Sequence, residues 1–163
     1  MSDPKTPPSG FASPPCMLHE VDPAYLGYMS DDETIAFLNE LLEAERAGAT
    51  GVGEMAAPPD AAHRPLLQTV ATDEARFCAM LTRHILRLKG RPTAATGKFL
   101  DKLRATDGLE PKLALLNRGQ GWVVKKLREG LSKIDDPMLY TDLREMLEAH
   151  ESNIAACEKA LEP

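Results

Sequence analysis

Residues 35–52 read IAFLNELLEAERAGATGV. Apolar side chains recur there at three- and four-residue spacing, at Ile35, Leu38, Leu41, Leu42, Ala49 and Val52, the period of one face of an α-helix. An acid, Glu45, falls inside that stripe, so the helix carries a carboxyl group into whatever interior it helps to form. Working outward, Ser30 and Asp31 are good N-cap residues. Asp31, Asp32 and Glu33 place acids in the first turn, where the helix dipole favours them. Gly48, Gly51 and Gly53 weaken the second half and permit a close neighbour, and Pro58 with Pro59 ends the segment.

The same pattern returns three more times. A second helix is predicted from about Pro65 to Lys89, with an inward line of Leu66, Val70, Glu74, Phe77, Leu81, Ile85 and Leu88, and with Gly90 and Pro92 as its stop. Again an acid, Glu74, sits in the apolar line. A third runs from Pro111 to about Lys133 through Leu113, Leu116, Gln120, Val123, Val124, Leu127 and Leu131. The fourth opens at Asp135-Asp136-Pro137, continues to about Leu161, and presents Leu139, Leu143, Leu147, His150, Ile154 and Cys157. The first and last connections are short, which predicts two antiparallel hairpins. The central one, residues 90–108, is long enough to cross a bundle and contains one short helix around Phe99, Leu100 and Leu103. The expected fold is all-α, with a Pro-rich arm at 1–29 (Pro4, Pro7, Pro8, Pro14, Pro15 and Pro23) and a four-helix bundle at 30–163.

Composition narrows the function. The chain of 163 residues has a formal charge of −6 and a pI near 5.2, against a general nucleic-acid binder. No apolar run approaches the ~20 residues of a membrane span, and no signal peptide opens the chain. Three scattered cysteines, Cys16, Cys78 and Cys157, are no disulfide framework, so a cytoplasmic location is expected. Phosphate loops, nucleophile elbows and dinucleotide fingerprints are absent. His84 and the sole tryptophan, Trp122, read as packing residues; Cys78 and Cys157 read as small core residues.

Phe37-Leu38-Asn39-Glu40-Leu41-Leu42-Glu43-Ala44-Glu45 resembles the first helix of bacterioferritins, whose Leu-Asn-x-x-Leu-x-x-x-Glu run ends on a metal ligand, here Glu45. Asp73-Glu74-Ala75-Arg76-Phe77, followed by Leu88-Lys89-Gly90-Arg91-Pro92, is similar to their second helix. Leu127-Arg128-Glu129 and Leu147-Glu148-Ala149-His150 resemble the third and fourth. The resemblance covers residues 31–161 and implies a ferritin-like four-helix bundle, two antiparallel helical hairpins joined by a long crossover. Within it the opening of the first helix looks closer to an uncharacterised bacterial ferritin-like family.

That fold's di-metal pattern takes a Glu from each of two helices and a Glu-x-x-His from each of the other two. The resemblance implies ligands at Glu45, Glu74 and His150. It places Phe77, Gln120 and Leu147 on the other three ligand positions, which predicts a degenerate site unable to hold the usual pair of irons. Gln120, and Glu148 and Glu151 beside His150, are further candidates. Ala75 stands where bacterioferritins carry their haem-ligating Met, so no haem is expected. The chain ends just after the fourth helix, without the fifth helix of storage cages. Two functions follow as expectations. One is a non-catalytic binding or scaffold protein, pairing as a homodimer or with another protein through a helix face or the arm. The other is an oxidoreductase or iron-handling protein using one Fe, Mn or Zn ion on Glu45, Glu74 and His150.

Overall fold

The computed structural model describes residues 26–55 and 62–162. The Pro-rich arm up to residue 25, with Cys16 and His19, and the Pro58-Pro59 stop lie outside the described residues. Five helices follow in order: α1 (Asp31–Met55), α2 (Arg64–Arg87), α3 (Phe99–Arg104), α4 (Leu109–Leu131) and α5 (Pro137–Ala160), with no strand among the described residues. None of them is long and apolar enough to cross a membrane.

Local chemistry sets the ends. Ser30 and Glu33 form a reciprocal capping box: the Glu33 amide donates to Ser30 Oγ at 3.3 Å, and the Ser30 amide donates to the Glu33 carboxylate at 2.9 Å. Asp136 caps α5 by accepting from the amides of Met138 and Leu139, with Pro137 in the first turn. At the end of α2 the left-handed residue is Lys89, φ 62°, not the expected glycine. Gly90 is needed for a different reason: a Cβ there would lie 2.8 Å from the Ile35 side chain on α1.

Helices α1 and α2 pack as one hairpin and α4 and α5 as the other. Arg87 at the end of α2 pairs with Asp136 at the start of α5, and Lys126 late in α4 pairs with Glu40 early in α1. Therefore α2 and α4 run in the same direction, and the segment between them must travel the length of the bundle. It does so along α1. The Asn39 side chain donates to the Arg91 carbonyl at 3.1 Å and accepts from the Thr93 amide at 2.7 Å. Arg46 Nε donates to the Thr93 carbonyl, and the Arg104 guanidinium pairs with Glu54 near the far end of α1. α3 then seats against α1 and α4, its Phe99 ring against Gly119.

The interior is split. One apolar cluster gathers Leu38, Leu41, Leu42, Phe77, Leu81, Leu127, Leu143 and Met146; the other gathers Val52, Leu67, Val70, Leu103, Leu113, Leu116 and Cys157. Between them each long helix contributes one buried polar side chain: Glu45, Glu74, Gln120 and His150.

Because Asn39 replaces two main-chain hydrogen bonds that the crossover cannot make for itself, Asn39→Ala is expected to destabilise the protein by about 1–3 kcal/mol. The urea midpoint measures it. A change below about 0.3 kcal/mol would mean that the crossover is held elsewhere.

Candidate metal centre

Three of the four polar residues at this waist converge. Glu45 on α1, Glu74 on α2 and His150 on α5 each offer a ligand atom, and these atoms all lie within 4.8 Å of one another. All three are buried. His150 Nδ1 lies 2.9 Å from the Met146 carbonyl. A carbonyl only accepts, so Nδ1 carries the hydrogen, and the other nitrogen, Nε2, turns its lone pair towards Glu45 Oε1 at 3.1 Å. An outer carbonyl that fixes the imidazole tautomer is the usual support of a metal-binding histidine. On the far side Gln120 Nε2 donates to Glu74 Oε1.

Gly48 makes room for the arrangement. A Cβ at that position would lie 2.5 Å from Glu74 Oε2, so any larger residue displaces the carboxylate. Phe77 sits one turn beyond Glu74, its ring centroid 5.5 Å from that of His150, and the Arg76 guanidinium covers its outer face. Asn153 on α5 donates to Asp73 on α2 and closes the centre between those two helices. Between α1, α4 and the crossover the bundle instead parts into a cleft of ≈ 510 Å³ that reaches Glu45, Glu74 and Gln120 from the surface.

Electrostatics are governed by burial. It pushes the Glu45 carboxyl up to about 8, with the shared Glu74 proton acting in the opposite direction. It lifts Glu74 well above the ordinary carboxylate range, helped by the neighbouring Glu45 charge. His150 is lowered, because the imidazolium is poorly solvated there. The metal-free centre is therefore a neutral imidazole beside two acids that share protons, not an ion pair.

Glu45 Oε2 and Gln120 Oε1 are buried without a hydrogen-bond partner. A cation bound between the acids, or the Glu74 proton, satisfies the first. Two carboxylates and one neutral imidazole balance one divalent ion and suit Fe, Mn or Zn. A pair of ions does not fit. Phe77 and Leu147 offer no donor atom, Leu147 packs against the core, and Gln120 brings no charge.

Other sequence candidates lie elsewhere. Glu148 and Glu151 face solvent, paired with Arg144 and Arg128 at 2.7 Å each, and do not belong to the centre. Cys78 is half-buried; burial and the two nearby acids push its thiol up to about 12, so it is no ready thiolate ligand. Trp122, expected to serve core or hairpin packing, is 43% exposed at the cleft. Gly48, Asn153 and Met146 were not singled out for the site, because their parts depend on which helix lies opposite.

The pKa shifts fix a sign for stability. Unfolded Glu45 and Glu74 ionise near 4.5, whereas the folded protein keeps Glu45 protonated to about 8. His150 titrates near 6.5 when unfolded and lower when folded, so above pH 6.5 its opposing contribution is at most about half a proton, fades over about one further unit, and is outweighed by the two acids. Between pH 6.5 and 8 the native state binds more protons than the unfolded state, and stability must fall as pH rises. In chelator-treated protein the urea midpoint is expected to drop across that window, by at most about 1.4 kcal/mol per pH unit per carboxyl. Glu45→Gln should flatten the slope; a midpoint rising with pH in the wild type would contradict the buried-acid account.

The family described as "Domain of unknown function (DUF6306)" matches residues 32–159. A solved structure, described as ferritin like, diiron-carboxylate proteins from Bacillus anthracis str. Ames, superposes with a TM-score of 0.73 at 19% sequence identity, covering 82% of this chain and 100% of that one. This likeness shows the ferritin-like fold. None of the curated proteins matches the chain.

Proposed function

The chain belongs to the family described as Domain of unknown function (DUF6306), and from there we propose that it holds one divalent transition-metal ion on Glu45, Glu74 and His150. The observation that carries this reading is the convergence of three ligand atoms within 4.8 Å in a buried layer. Glu45 and His150 would hold the ion from α1 and α5, with Glu74 from α2. Gln120 orients the Glu74 carboxylate, and the Met146 carbonyl orients the imidazole. Such an ion supplies Lewis acidity and, for iron or manganese, one-electron redox chemistry. The cleft beside α4 gives small molecules access to the centre from that side.

A metal-free scaffold is the second reading, and one observation favours it. Glu74, Glu45 and His150 can satisfy each other by sharing protons, so the centre persists without an ion. Metal content separates the two. Purified untagged protein is expected to carry, or take up anaerobically, near one equivalent of iron, manganese or zinc, and Glu74→Ala to carry none. If wild type stays metal-free after Fe(II) loading, the scaffold reading stands instead.

Two variants test the ligand map. Gly48→Ala is expected to keep the fold and weaken metal affinity about tenfold or more, since it displaces a ligand carboxylate. Phe77→His combined with Leu147→Glu restores two donors and is expected to raise Fe(II) affinity and stoichiometry. No gain in a variant with wild-type circular dichroism would count against the map.

A further inference from the structure

The cleft between α1, α4 and the crossover has a chemistry of its own. Its walls are mainly apolar, with Leu115, Leu116 and Val123 from α4, Ala44 from α1 and Phe99 from α3. Three cations stand on it, Lys98, Lys102 and Arg118, all exposed. None of the three has an ion-pair partner among the described residues, although most other basic side chains along α2 and α4 do. Two acids share the outer cleft. Glu40 is neutralised by Lys126 at 2.8 Å, leaving Glu43 over Gly97 as the single uncompensated negative charge. Three positive charges against one leave the outer cleft net positive by two, on a chain whose net charge is −6.

The inner end is polar and incomplete. Gln120 lines it, is 5% exposed, donates its Nε2 hydrogen to Glu74, and keeps a buried Oε1 without a hydrogen-bond partner. The volume, ≈ 510 Å³, lies within the usual range of small-molecule sites.

We propose that this cleft binds a small organic carboxylate with an apolar body, its charge among Lys98, Lys102 and Arg118 and its body between α3 and α4. The anion answers the unmatched cations, and the body replaces water on the leucine, valine and phenylalanine surface. The site does not depend on an ion at Glu45, Glu74 and His150. With an ion present, the far end of the ligand would lie beside it.

Trp122, the chain's sole tryptophan, lines the cleft and reports occupancy directly. Octanoate titrated into chelator-treated full-length protein is expected to change its fluorescence saturably, with a sub-millimolar Kd confirmed by calorimetry. Octylammonium, with the same body and the opposite charge, is expected to bind at least about tenfold more weakly. Joint charge reversal, Lys98→Glu, Lys102→Glu and Arg118→Glu, is expected to weaken octanoate about tenfold or more. Ala44→Phe, which fills the cleft, should abolish binding in a protein whose circular dichroism is unchanged. The proposal is overturned if octanoate does not saturate at several millimolar, if octylammonium binds as well, or if either variant binds like wild type. Repeating the titration on zinc-treated protein, with zinc content measured separately, distinguishes this result from the metal proposal: octanoate binding without bound zinc would leave the cleft standing and remove only the ion.

Discussion

Everything in this bundle is arranged around the burial of two carboxyl groups and an imidazole at mid-height. A buried charge is tolerated only when it is neutralised by a proton, a counter-ion or a metal. Here the neighbours are set out for that purpose. The Met146 carbonyl fixes one face of His150, Gln120 holds one oxygen of Glu74, and the missing side chain of Gly48 leaves space for the other. The two apolar clusters above and below are separated by this layer, so helix register and centre are mutually dependent. A one-residue slip of any long helix would turn its polar member out of the waist and strand the others without partners.

The α-helical periodicity made most of the fold legible. Glu45 and Glu74 announced themselves as acids inside apolar stripes, and Phe99, Leu100 and Leu103 marked the short helix in the crossover before any coordinates. What stayed hidden depends on pairing between distant segments. Asn39 is an ordinary polar residue on α1 until the crossover lies across it; only then does its amide act as a main-chain surrogate. Gly48 read as a site of close helix approach, whereas the atom it admits is a carboxylate oxygen. Trp122 read as a packing residue of core or hairpin, but α1 and α4 part beside it and leave it 43% exposed at a cleft. Glu148 and Glu151 were drawn towards the site by their closeness in sequence to His150. On a helix, Glu151, one residue from His150, points roughly 100° away and Glu148, two residues away, roughly 200°, and arginines on the outer face hold both.

The replacements at the second metal position act together. Phe77 and Leu147 each stand three residues from a member of the buried layer, Glu74 and His150, so both lie on the inward faces of their helices. An aromatic ring and an isobutyl group take the volume that a histidine and a glutamate would have given to an ion. Gln120 keeps the shape of a glutamate but exchanges a charge for a donor, and that donor now restrains Glu74. The same substitutions leave an asymmetric environment: α2 and α5 are closed by Phe77, Arg76 and the Asn153–Asp73 pair, while α1 and α4 open to the cleft.

A second buried histidine shows the same residue held in a different setting. His84 is fully buried on α2, as His150 is on α5. Both of its ring nitrogens are satisfied: Nδ1 accepts from Arg87 at 3.0 Å, and Nε2 meets Asp142 at 2.7 Å. Asp142 is partly exposed and bound also by Arg83, so the charges of that network are shared with solvent. Nothing further is needed there, and the network simply ties α2 to α5. At His150 one nitrogen is fixed by a carbonyl, and the other points its lone pair at acids that solvent does not reach, one of which has an oxygen with no partner. Burial is the same in the two cases and so is the residue. The difference is the setting: His84 meets an acid that solvent partly reaches, and His150 meets acids that are buried with it.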